Sequence, residues 1–83
     1  MDKEQIRAKL KELLTVVDPE IGARADTGDD VDIREGIGLD SLQIVELLFE
    51  IEENIGPKIE DEEAQSIRTV GQLLDLIQKK LAA

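Results

Sequence analysis

The sequence predicts an all-α fold: a small bundle of three main helices plus one short helix, with a long loop between the first two. Three observations carry this. Apolar residues recur at helical spacing in three separate stretches, the pattern of amphipathic helices. No stretch alternates apolar and polar residues for long enough to form a strand. Residues suited to irregular backbone, Pro19 with Gly22, Gly28, Gly36 and Gly38, gather between the first stretch and the second. At 83 residues the chain reads as one domain, residues 1–83, with a compact and simple core.

The first helix is predicted from Ile6, Leu10, Leu13, Leu14 and Val17, which share one face. Asp2 with Gln5 three residues on forms a capping box at its start. It stops before Asp18-Pro19, because the residue preceding a proline disfavours helical backbone. Residues 18–39 then read as a loop, unusually long for a domain of this size, and long loops of this kind tend to be functional. Its apolar residues Ile21, Val31, Ile33, Ile37 and Leu39 are expected to pin it to the helices.

The second helix begins with Asp40 as cap and Gln43 at the third helical position, and it stops at Asn54-Ile55-Gly56-Pro57. Glycine suits the left-handed cap there, and proline blocks continuation. Asp61-Glu62-Glu63-Ala64 predicts the short helix. The last helix starts at Thr69, with Gln72 three residues later, and carries the stripe Val70, Leu73, Leu74, Ile77 and Leu81. Lys79 and Lys80 suit the negative end of its dipole.

The second helix carries more apolar residues than one face requires. At about 100° per residue, Ile44, Leu47, Leu48, Ile51 and Ile55 form an uninterrupted core stripe. Leu42, Val45, Glu46, Phe49 and Glu53 form another, displaced by about 200°. The second stripe either packs under the loop or the short helix, or is a docking surface, since exposed apolar residues ringed by charge mark interaction sites.

Composition narrows the chemistry. The net charge is -10, and it is concentrated centrally: residues 18–39 hold seven acids against two bases, and residues 40–63 hold nine against one. Such a field disfavours nucleic acid and anionic membrane as partners and steers basic surfaces toward the chain. Acidity also keeps a small domain soluble, and charge alone does not separate these readings. There is no run of about 18 apolar residues, hence no membrane span is expected. The N-terminus lacks a signal-peptide region, so the expected location is cytoplasmic. A monomer is expected.

With no histidine and no cysteine, the chain lacks the commonest general base, the common zinc ligands and a thiol nucleophile. Ser41 has no base for hydrolase chemistry, and Leu39 to Gln43 fail the Gly-x-Ser-x-Gly elbow. A calcium loop over Asp26 to Ile37 fails because glycine occupies its third ligand position and Ile37 its closing one. No catalytic residue and no metal ligand is therefore assigned, and an enzyme is not expected.

Ser41 lies just past the Asp40 cap, where serine is locally favoured in any helical protein. Its context says more. From Gly38 to Asn54 the chain reads GLDSLQIVELLFEIEEN, followed by Ile59-Glu60-Asp61-Glu62-Glu63-Ala64, Ile67, Thr69 and Val70. This segment resembles the acyl carrier protein family closely over about the last three-fifths of the chain, and the remainder fits in helix pattern, length and acidity.

The resemblance implies that Ser41 carries a covalent 4'-phosphopantetheine arm, with Asp40 and Leu42 flanking the attachment. The arm would be added by a phosphopantetheinyl transferase using coenzyme A and magnesium. It further implies that acyl groups ride as thioesters on the arm's sulfur. Leu42, Val45, Glu46, Phe49, Glu52 and Glu53 would then face partners with basic docking patches: acyl-transferring, condensing and modifying enzymes of fatty acid, polyketide or related lipid biosynthesis. An imported thiol fits a chain without cysteine. Gln43, Glu60, Arg68 and Phe49 depart from the usual fatty-acid pattern, and with Arg24 and Arg34 in the loop they leave room for a specialised carrier. The alternative is an unmodified acidic helical adaptor that docks partners through its second helix.

Overall fold

A computed structural model describes residues 1–82. The elements are α1 (Lys3–Val17), α2 (Pro19–Arg24), α3 (Ser41–Asn54), α4 (Asp61–Ser66) and α5 (Val70–Ala82). Three long helices form the bundle, and α1 is its hub, packing against α2, α3 and α5. The predicted fold class therefore holds. One element was not predicted: the loop between the long helices opens with the short α2. Asp18 is the reason, because its Oδ1 accepts from the Glu20 and Ile21 amides and so caps a new helix with Pro19 at its first position.

Capping boxes form at the predicted starts of α1 and α3. Asp2 Oδ1 accepts from the Gln5 amide at 2.8 Å while Gln5 Oε1 accepts from the Asp2 amide, and Asp40 and Gln43 make the same exchange at α3. Thr69 and Gln72 exchange bonds before α5. Gly56 ends α3 at φ 123°, donating to the Ile51 carbonyl at 3.0 Å.

The core is entirely aliphatic. Ile6, Leu10 and Leu14 of α1 meet Ile51 of α3 and Leu73, Leu74 and Ile77 of α5, all fully buried or nearly so. The loop is pinned as expected by Ile21, Ile33, Ile37 and Leu39, with Val31 partly buried. Leu81, by contrast, is exposed near the end of α5. Backbone bonds add a clamp: Ile33 N–H donates to the Arg68 carbonyl, and Val70 and Gly71 N–H donate to those of Val31 and Asp29. The loop is thus fastened to the start of α5 before it reaches Ser41.

Charged side chains reinforce this clamp. Asp29 pairs with Arg7 and, at 3.1 Å, with Lys3, which also reaches Asp75 at 3.1 Å. Hydrogen bonding from Arg7, then Lys3, holds the Asp29 carboxyl below its ordinary value of 3.8. A carboxyl lowered in the folded state stabilises it fully above the ordinary value and loses that contribution as pH falls through the lowered one. Asp29→Asn is therefore expected to reduce stability at pH 7 and to flatten the acid limb of the stability curve. Thermal unfolding from pH 7 to pH 2 measures both; an unchanged acid limb would deny the clamp its role.

Candidate functional site

The Asp40 cap decides how Ser41 is presented. Asp40 Oδ1 takes the Gln43 amide at 2.8 Å, and the Asp40 carbonyl accepts the first helical bond from Ile44. The amides of Ser41 and Leu42 precede that bond, and among the described residues no acceptor pairs with them. The Ser41 side chain is exposed and takes part in no hydrogen bond among those residues, so the cap leaves its hydroxyl unengaged. Free N–H groups and the positive end of the helix dipole favour an anion attached there.

Ser41 also lines a groove of about 330 Å³. Ile44, Val45 and Leu48 of α3 form one wall, and Asp61, Ala64 and Gln65 of α4 the other. Arg34, from the loop, is the single cation lining it among the described residues. Aliphatic side chains, a carboxylate and a carboxamide suit a flexible arm that carries both apolar and amide groups. The residues present therefore fit a phosphate-linked, amide-bearing group tethered at Ser41.

Gln43 fixes the orientation of this end of α3. Its Oε1 accepts from the Asp40 amide at 3.0 Å, and its Nε2 donates to Asp18 Oδ2 at 3.3 Å. One side chain thus ties the start of α3 to the α1–α2 junction. Gln43→Glu replaces that donor by a carboxylate facing another carboxylate. It is expected to cost about 1 kcal/mol and to recover part of the loss in high salt. Equal stability of variant and parent in urea titrations at low salt would show that the tie carries nothing.

The second stripe of α3 is on the surface, not under the loop or α4. Leu42, Val45 and Phe49 are 67%, 57% and 56% exposed, and Glu46, Glu52 and Glu53 are exposed beside them. None of those three glutamates has a cationic partner among the described residues. Val45, Glu46, Phe49 and Glu50 form one side of a second groove, of about 410 Å³, whose other side is Val16 and Val17 of α1. Glu52 and Glu53 line neither groove.

Sequence reasoning missed Val16 and the groove role of Arg34. Val16 falls off the core stripe of α1, and its one signal was being a surplus apolar residue on a helix whose stripe was already complete. Arg34 stood out only as a base in an acidic stretch.

A family model described as a phosphopantetheine attachment site matches residues 4–77. An acyl carrier protein of Rubrobacter xylanophilus is 38% identical over 81 residues, covering 93% of each chain. One of Thermosynechococcus vestitus is 36% identical over the full length of both. Another, from Saccharopolyspora erythraea, is 31% identical over 92% of this chain and 78% of its own.

Proposed function

The chain belongs to the acyl carrier protein family, whose members are carriers with a covalent 4'-phosphopantetheine and not catalysts, and on that premise we propose that Ser41 is the attachment point. The observation that carries this is an exposed, unengaged hydroxyl at the start of α3, opening on the α3–α4 groove. Asp40 holds the helix start and Leu42 stands beside the serine as an exposed apolar contact. The bound arm supplies the thiol on which acyl groups form thioesters.

In this reading residues 1–83 act as one monomeric carrier domain that a phosphopantetheinyl transferase loads from coenzyme A. The carrier then presents acyl intermediates to transferring, condensing and modifying enzymes of fatty acid, polyketide or related lipid biosynthesis. Incubation with a transferase and coenzyme A, followed by intact-mass measurement, tests it. A gain of one phosphopantetheine is expected, and an unchanged mass would favour the adaptor reading.

Leu42, Val45 and Phe49 are the apolar anchors for partners, with Glu46, Glu52 and Glu53 around them. Charge at such a rim governs approach and orientation more than affinity. Glu46→Lys combined with Glu53→Lys is expected to slow association with the transferase about tenfold or more. Wild-type association should fall as ionic strength passes about 0.1 M, where screening acts within about 10 Å. Association rates indifferent to both changes would rule out electrostatic recruitment.

A further inference from the structure

We propose that Arg34 is a positioning residue for the attached arm, its guanidinium supplying the counter-charge for the phosphodiester; this rests on the reading of Ser41 as the attachment point. The site has an electrostatic problem that the helix dipole does not solve alone. A phosphodiester on Ser41 would carry a negative charge next to Asp40, in a groove whose α4 wall contributes Asp61, within the most acidic part of the chain. Free amides at an exposed helix start favour an anion only modestly. Neighbouring carboxylates oppose that by similar amounts.

Among the described residues Arg34 is the one cation lining the groove. It is also partly fixed there: Nη1 donates to the Ile67 carbonyl at 3.3 Å, which anchors the side chain to the α4–α5 connection. No carboxylate among the described residues forms an ion pair with it. Its backbone is fixed as well, since the Arg34 amide donates to Asp32 Oδ1 at 2.8 Å and the Gly38 amide donates back to the Arg34 carbonyl at 2.8 Å. A guanidinium with one donor tethered and four remaining suits a phosphate, which it binds through planar paired donors. In a chain with twice as many acids as bases, an arginine without an acidic partner among the described residues, lining the same groove as the serine, is the feature that needs a role.

Arg24 provides the matched control. It lies near Gly38 but does not line the groove, so Arg24→Gln makes the same charge change without removing the contact.

The experiment compares apo and transferase-loaded protein by NMR, reading the arm's phosphorus-31 resonance and the Arg34 Nε–Hε signal. Intact mass establishes loading first, and urea-unfolded loaded protein gives the phosphorus reference for an uncontacted phosphodiester. In the wild type, the phosphorus resonance should differ from that reference and the Arg34 signal should shift on loading. Arg34→Gln should lose most of the phosphorus difference, Arg34→Lys should keep most of it, and Arg24→Gln should keep it all. A loaded Arg34→Gln chain with the wild-type phosphorus resonance overturns the proposal and leaves Ser41 as the attachment point. An unchanged intact mass of the wild type overturns both. If Arg34→Gln resists loading, the wild-type Arg34 signal decides: the same position in apo and loaded protein refutes the contact.

Discussion

Ser41→Ala is expected to abolish loading by coenzyme A and transferase completely while leaving the fold intact. The two halves of this result have separate causes. Loading needs an oxygen that can be esterified, and alanine offers none. Folding does not need it, because Asp40 and Gln43 make the capping box without the Ser41 side chain. Alanine has the best helix propensity, so stability should stay within about 0.5 kcal/mol of the parent.

Three of the other four hydroxyls mark the contrast, while the fourth, that of Thr27, lies in the loop and heads no helix. Thr15 Oγ1 donates to the Lys11 carbonyl, Ser66 Oγ donates to that of Glu63, and Thr69 Oγ1 accepts from Gln72. Intact mass after incubation, with a melting curve of the same sample, reads both halves. A variant that gains the arm as the parent does would move the attachment to another residue. One that fails to fold would mean that the serine, and not its neighbours, holds the start of α3.

Gly22→Ala is expected to be the most destabilising of these changes. Gly22 lies in α2 where that helix meets α1. A Cβ at this position would stand 2.5 Å from the Thr15 Cα and 2.6 Å from its amide nitrogen. These are backbone atoms, which no rotamer change can move aside, so α2 must shift away from α1. Overpacking of this kind costs about 3 kcal/mol at the upper end of its usual range. For a domain of this size that is a fall of about 12–24 °C in melting temperature. Differential scanning calorimetry of the two chains measures it. A melting temperature within about 4 °C of the parent, equivalent to 1 kcal/mol or less, would show that α2 and α1 are not packed so closely.

How far the site was legible in the sequence depended on how local its causes are. Asp40, Ser41 and Gln43 were legible because a capping box is made by side chains three residues apart. The outer stripe of α3 was legible because helical periodicity assigns each residue a direction. Whether Leu42, Val45 and Phe49 were covered was not, since the loop or α4 had chain enough to cover them. Helix α2 escaped notice because six residues are too few to show a period, and Asp18 ended one helix while starting the next.

The sequence by itself determined the three long helices, the aliphatic core faces apart from Leu81, and the serine at the head of α3, because all follow from spacing along one helix. Only the tertiary structure decided that α4 stands opposite Ile44 and Leu48 to make a groove beside Ser41. It alone brought Val16 to Phe49 and set Arg34 beside the same groove. Those pairings join residues far apart in the chain, and their positions depend on how helices pack once buried together, which no local pattern of residues encodes.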